Sequence, residues 1–172
     1  MLDFKRYIRE IPDYPKAGVS YKDITPLLLQ PQIVNLCVDV MLENIPKGMP
    51  IHKVVGIESR GFLLSSILAQ RLNAGLVLVR KAGKLPYKTI KKEYSLEYGT
   101  DAIEMHVDAI HPDENIIIHD DVLATGGTAQ ATNTLVKESG GKIIQHNFLI
   151  ELEGLEGRKL LHPDDIFSLM FY

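Results

Sequence analysis

Cysteine occurs once in the 172-residue chain, at Cys37. No internal disulfide can form, which suits a reducing cytoplasm. No apolar run approaches the ~18–20 residues that a membrane-spanning helix requires. The opening Met1-Leu2-Asp3-Phe4-Lys5-Arg6 lacks a secretory apolar stretch, so export is not expected. Positive charge is not in surplus either: 19 Lys and Arg stand against 22 Asp and Glu, a formal charge of −3. That balance argues against non-specific binding to nucleic acid. Several familiar motifs are missing as well. Without G-x-x-x-x-G-K-[ST] or G-x-G-x-x-G there is no P-loop and no dinucleotide fingerprint. Without H-E-x-x-H or paired C-x-x-C a built-in zinc site is not expected, and no G-x-S-x-G elbow supports a hydrolase. His106, His111 and His119 are too scattered for ligands and read as satisfied histidines.

What is there has an ordinary globular balance, 45% hydrophobic and 24% charged, at the length of one domain. A short helix is expected over Leu2–Arg9, broken by Pro12 and Pro15, and an amphipathic helix over Ile33–Ile45, ended by Pro46 and Gly48. Val54-Val55-Gly56-Ile57 reads as a strand, Phe62–Leu72 as a helix apolar on nearly every face, and Leu76–Val79 as a second buried strand. Short connections make this a βαβ unit with parallel strands. The pattern recurs with a strand at Asn115–His119, a helix at Thr128–Ser139 stopped by Gly140-Gly141, and a strand at Ile143–Ile150. The expected fold is therefore α/β, a mostly parallel twisted sheet with helices on both faces. Ligands in such sheets bind outside the carboxyl ends of the strands.

Three segments follow strands. In Asp120-Asp121-Val122-Leu123-Ala124-Thr125-Gly126-Gly127-Thr128 two adjacent carboxylates disfavour each other's ionised form and call for hydroxyl donors or a cation. The Thr-Gly-Gly-Thr turn then opens a helix, with glycines for close approach, hydroxyls to donate, and free N–H groups. Carboxylates for ribose hydroxyls beside a phosphate nest suit a ribose phosphate; an exposed acid pair and an ordinary helix start form the plainer alternative. Glu58-Ser59-Arg60-Gly61 sets a guanidinium where an anion meets a helix N-terminus, although Arg60 pairing with Glu58 is an equal reading. From Arg80 to Lys92 the chain carries Arg80, Lys81, Lys84, Lys88, Lys91 and Lys92 and no acid. Arg80, Lys81 and Lys84 are best placed for a polyanion, and the long polar segment reads as an active-site lid.

The segment Ile118–Thr128 resembles the phosphoribosyl-pyrophosphate motif of the type I phosphoribosyltransferases. Three more stretches narrow the resemblance to the branch that acts on adenine: Ile11–Pro15 through Lys22–Leu28, Gly56–Phe62, and Val79–Pro86 leading to Tyr94–Asp101. The resemblance implies a single domain over residues 1–172, with a base-binding hood at 1–32 and a flexible catalytic loop at 84–100. It implies transfer of the phosphoribosyl group to adenine, giving AMP and diphosphate. Asp120 and Asp121 would hold the ribose hydroxyls, and Ala124, Thr125, Gly126, Gly127 and Thr128 the 5′-phosphate. Glu58, Ser59 and Arg60, in a loop that often holds a non-proline cis peptide, would surround the diphosphate with Arg80, Lys81 and Lys84. Ser20, Tyr21, Lys22 and Val122 would bind adenine, Tyr21 by stacking, while Glu97 and Tyr98 close over the reacting centre as the catalytic pair. Magnesium would be the cofactor, held mainly by substrate diphosphate with no direct protein ligand. A cytoplasmic homodimer without nucleic-acid or membrane partners completes the expectation.

Tyr21 stands where the family usually has Phe, His119 replaces an apolar residue, and Pro86-Tyr87-Lys88 departs from a commoner small-residue sequence. Burial at His119 should lower its pKa and keep it neutral. Two rivals are weighed. A hypoxanthine or guanine enzyme wants a donor such as Lys near the base; Lys22 lies close to that segment, but at a position where the adenine branch also tolerates a basic residue, so the adenine reading wins on its motif set. A non-catalytic phosphoribosyl-pyrophosphate sensor would add a DNA-binding module or lose the catalytic loop, and the chain shows neither.

Overall fold

The computed structural model describes residues 3–95 and 100–172. They divide into two compact units, one ending at Glu43 and the other Asn44–Tyr172. In the first, a 3-10 turn (Phe4–Tyr7) precedes β1 (Arg9–Ile11), which pairs antiparallel with β2 (Tyr21–Asp23). The Asp23 carboxylate accepts from both Thr25 N and Thr25 Oγ1 at 2.9 Å, tying β2 to the start of α1 (Thr25–Leu28). Next comes α2 (Pro31–Glu43), whose Ile33, Val34, Cys37, Val38 and Met41 fall on one helical stripe and are buried. Burial pushes the Cys37 thiol up to about 12. This unit takes in α2 and so runs beyond the hood expected at 1–32.

The second unit holds β3 (Lys53–Ile57), α3 (Gly61–Leu72), β4 (Gly75–Lys81), β5 (Thr89–Ser95), β6 (Thr100–His106) and β7 (Asn115–Leu123). After these come α4 (Gly127–Glu138), β8 (Lys142–Glu151), α5 (Arg158–Leu161) and β9 (Ile166–Phe171). The strands form one sheet in the order β5-β6-β4-β3-β7-β8-β9. From β4 through β9 every pairing is parallel, while β6 joins β4 and β5 antiparallel. The C-terminal stretch Ile166–Phe171 is thus an edge strand.

Winding direction places the site. The β3-α3-β4 crossover moves one way along the sheet and β7-α4-β8 moves the other. Crossovers of one hand in opposite directions put α3 and α4 on opposite faces, the expected two-sided α/β architecture. The reversal falls between β3 and β7, so a crevice opens at their carboxyl ends. Under α4, Val55, Ile57, Val77, Val79, Ile116, Ile118 and Leu135 form the main core. Their alternation along β3, β4 and β7 is the period-two pattern of a sheet face.

Three sequence expectations need correction. β7 does not stop at His119: Asp120 pairs with Phe148, Val122 with Ile150 and Leu123 with Glu151, so the acid pair lies within the strand's last turns of the ladder. β8 runs to Glu151, and its backbone partners carry β7 on past the acids. Neither α3 nor β4 is buried all round. Leu63, Leu76 and Leu78 are 44%, 42% and 38% exposed, and β4 alternates between open and covered residues. Residues 89–95, read as part of a loop, form β5 because each pairs with a residue of β6, Thr89 with His106 through Ser95 with Thr100. Among the described residues no helix is long and apolar enough to cross a membrane.

Candidate active site

Successive side chains of a strand leave on opposite faces, and that separates the two carboxylates at the end of β7. Asp120 follows Ile116 and Ile118 onto the α4 side and lines a cleft of about 290 Å³, together with Glu58, Lys81, Tyr94, Asp101 and Thr128. Asp121 turns the other way, where Arg60 at the start of α3 brings Nε to 2.7 Å from its Oδ2. The Asp121 side chain is only 7% exposed. Burial raises its pKa, and Arg60 opposes that rise. Asp120 is pushed well up by burial and then by the neighbouring Asp121 charge. The awkwardness of two adjacent acids is therefore real, and Arg60 relieves one of them. Close packing of α3 makes this reach possible: a β-carbon on Gly61 would lie 2.7 Å from Asp120 Oδ1 and 3.1 Å from the His119 carbonyl.

Beyond β7 the chain turns into α4 around a hollow of about 70 Å³ formed by Ala124–Ala129, with Asp120 and Val122 at its edge. Gly126 sits at φ +83°, a left-handed conformation that strains any side chain. It makes no side-chain cap, which leaves the first N–H groups of this 12-residue helix for another acceptor, the arrangement by which a helix start can hold an anion. Thr128 reaches Tyr94 Oη through its hydroxyl at 3.2 Å, linking the hollow to the cleft. Thr125, Gly126, Gly127 and Thr128 all line this hollow.

The cations are organised by acids. Glu58, joined to Ser59 by a cis peptide, accepts from Lys81 N at 2.9 Å and Lys84 Nζ at 2.5 Å, with Arg80 at 3.5 Å. Burial raises the Glu58 pKa, but these donors outweigh it and hold the carboxyl below its usual value. Glu58 therefore gathers the basic groups rather than presenting itself to an anion. Lys81 Nζ lies 2.9 Å from Asp101, which raises the lysine pKa and lowers that of the aspartate. Glu104, 5% exposed, accepts from Lys84 N at 3.0 Å, Leu85 N at 2.9 Å and Thr89 Oγ1 at 3.2 Å, and so fixes the turn that carries Lys84. Tyr94, Asp101 and Glu104 were given no role in the site from sequence; the register of β6 against β4, with Arg80 opposite Glu104, is what brings the two acids here.

In the first unit Ser20 Oγ and Lys22 Nζ both meet Glu10 Oε2, at 3.2 and 2.6 Å, and Lys22 is 8% exposed. Tyr21 stands edge-on to Tyr14 with centroids 5.2 Å apart. Glu97 and Tyr98 lie outside the described residues. Just before the acid pair, His119 is fully buried, its pKa lowered to about 4 by burial, which matches the neutral state expected for it.

A family model for the phosphoribosyl transferase domain matches residues 29–169. With the reversed winding and the acidic strand end feeding a glycine-rich helix start, that sets the class as a type I phosphoribosyltransferase. An adenine phosphoribosyltransferase from Christiangramia forsetii is 56% identical over 171 residues, 99% of either chain. The solved adenine phosphoribosyltransferase of Rhodothermus marinus superposes with a TM-score of 0.93 at 51% identity, covering 98% of this chain and 96% of that one. The Saccharomyces cerevisiae enzyme, solved with D-2,5-dideoxy-2,5-imino-altritol 1,6-bisphosphate and adenine, gives 0.90 at 38% identity over 96% and 95%. The chain belongs to the adenine phosphoribosyltransferases, transferases of purine salvage.

Proposed function

We propose that the chain transfers the 5-phosphoribosyl group of phosphoribosyl pyrophosphate to adenine in a magnesium-dependent displacement at ribose C1′, with the residues above in defined roles. The observation that carries this is the convergence, at one strand switch point, of a carboxylate, an uncapped helix start and a cluster of cations. Ala124–Thr128 hold the 5′-phosphate through α4 N–H groups and the threonine hydroxyls. Asp120, facing the cleft, takes the ribose hydroxyls, and Asp121 supports it while fixing Arg60. Arg60, Arg80, Lys81 and Lys84 receive the departing diphosphate, with Glu58 and Ser59 shaping the loop that presents them. Charge building up on the ribose ring in an oxocarbenium-like state is favoured by the nearby carboxylates. Glu97 relays a proton at the base, with Tyr98 the second catalytic residue.

Magnesium fits the donor set. Among the described residues no three His, Cys, Asp or Glu side chains converge on one point. Mg²⁺ habitually keeps waters and substrate phosphates among its ligands, so the substrate diphosphate would hold it here without a dedicated protein cage. Bound there, the ion supplies charge neutralisation for the leaving diphosphate.

Ser20, Tyr21 and Lys22 form the base-binding segment in this reading. Its choice of adenine is supported by Lys22: the ammonium is engaged by Glu10 and Ser20, so it is committed elsewhere than to a 6-oxo group. With adenine, hypoxanthine and guanine offered separately, AMP is the expected product and IMP and GMP are not; chelating magnesium should stop turnover. IMP or GMP would overturn the base assignment, and ligand binding without turnover would favour a sensor. We also infer a cytoplasmic homodimer. A lone buried thiol suits that compartment, and the open β4 face with Leu76 and Leu78 offers apolar area for a second copy. Light scattering should give twice the chain mass, and Leu78→Glu should give monomers.

A further inference from the structure

A segment some thirty residues downstream touches the phosphate hollow from behind. Gly157 packs backbone to backbone against Ala124–Gly126. A β-carbon on Gly157 would collide with the Ala124 carbonyl oxygen and lie 2.9 Å from Gly126 N; one on Gly126 would lie 2.6 Å from Gly157 O. Two glycines therefore face each other with no side chain between them. Gly157 has an ordinary helical φ of −57°, so its need for glycine is steric, not conformational.

Gly157 is itself held firmly. Its neighbour Arg158 donates Nε to Glu151 Oε1 at 2.9 Å and NH2 to Glu151 Oε2 at 2.5 Å, and NH1 to the Ile166 carbonyl at 3.1 Å. Ser168 Oγ donates to the same Glu151 oxygen at 2.5 Å. Arg158 is thereby locked to β8 and β9 in a planar, two-pronged contact that a lysine could not reproduce. Further along α5, Leu161 packs with Leu123 and Ala129, which also line the hollow.

We propose that Gly157, anchored by the Arg158–Glu151 pair, is a positioning brace that sets the height of the Ala124–Thr128 backbone and hence the affinity for the 5′-phosphate. This rests on reading Ala124–Thr128 as the phosphate site. The brace touches no substrate; it acts only through the Ala124–Gly126 backbone, so its effect is confined to ligands with a 5′-phosphate. A displacement on the order of 1 Å in a positioning element can cost about 100-fold.

The test uses the full chain and two separate probes, ribose 5-phosphate and inorganic pyrophosphate, as competitors in the forward reaction. Gly157→Ala should weaken ribose 5-phosphate about 10- to 100-fold and raise KM for phosphoribosyl pyrophosphate, with pyrophosphate affinity and KM for adenine unchanged. Arg158→Lys, which leaves Gly157 in place, should show the same selective pattern at smaller size. Thr125→Ala is the control on the site itself. If it weakens ribose 5-phosphate and Gly157→Ala does not, the brace is refuted and the phosphate site stands. If neither does, the reading of the hollow falls and takes the brace with it. Equal losses for both probes, or selective loss absent in an Arg158→Lys protein that melts like the parent, would refute a brace and leave a general packing role.

Discussion

Arg60→Ala is expected to lower kcat/KM by at least about 100-fold, the scale of losing one preorganised donor to a developing anion. The same change should destabilise the fold by about 3 kcal/mol, because removing one partner leaves a buried charge uncompensated. The physical origin is the Asp121 side chain, 7% exposed, with the Arg60 Nε at 2.7 Å. Burial already raises the Asp121 pKa, and Arg60 is the chief influence lowering it. Arg60 also lowers the pKa of Asp120, so its loss should move both acids further toward the protonated form. The acid limb of the rate profile should then shift to higher pH. Since both effects start from one guanidinium, a double variant separates them. Arg60→Ala/Asp121→Asn removes the orphaned charge and should recover most of the lost stability in denaturant unfolding, while the turnover defect remains because no guanidinium faces the diphosphate. Equal stability of the single and double variants would show that Asp121 does not depend on Arg60.

Much of this was open to reading in the sequence, for a definable reason. Val54–Ile57, Leu76–Val79 and Ile116–Ile118 are short β-branched or apolar runs bounded by polar or glycine-containing breaks, and local pattern suffices to read them as parallel strands. The Asp120–Thr128 segment is contiguous, so its carboxylate and its phosphate nest could be read as one unit. What escaped depends on partners far away in the chain. Whether β7 ends at His119 or Leu123 is decided by β8, whose Phe148 and Ile150 keep the ladder going. Glu104 looks like one more acid after a basic run until β6 folds back against β4 and sets it beneath the Lys84 turn. Gly157 carries no local signal at all, since its φ is ordinary and its constraint is the carbonyl of a residue in another loop. The exposure of Leu76 and Leu78 was hidden likewise: four apolar residues in a row read as buried on both faces, and only the sheet shows which face is covered.

His119 should make the protein acid-labile in a narrow window. Its side chain is fully buried, Nδ1–H donates to the Asn147 amide oxygen at 3.3 Å, and Nε2 has no hydrogen-bond partner. Burial lowers the folded pKa from 6.5 to about 4. In the unfolded chain the ring takes a proton near pH 6.5, and in the folded chain it does not until about pH 4. Stability is therefore intact above pH 6.5 and is lost as pH falls toward 4, by about 3 kcal/mol in total. His146, also lowered by burial, acts in the same direction. Asp120 and Asp121 act in the opposite one: their raised pKa values give stability that is present at low pH and lost as pH rises through the folded value. The whole-protein profile mixes these signs, so the informative quantity is the difference between parent and His119→Leu. At pH 7 the variant should be less stable by about 1–2 kcal/mol, because Asn147 loses its partner. Its stability should then fall less steeply on acidification, so that the two curves cross between about pH 6 and 5 and the variant is the more stable at pH 4. Urea unfolding at half-unit pH intervals measures this directly. Parallel curves across the window would mean that the buried ring takes its proton without unfolding, with a group beside Nε2 able to receive it.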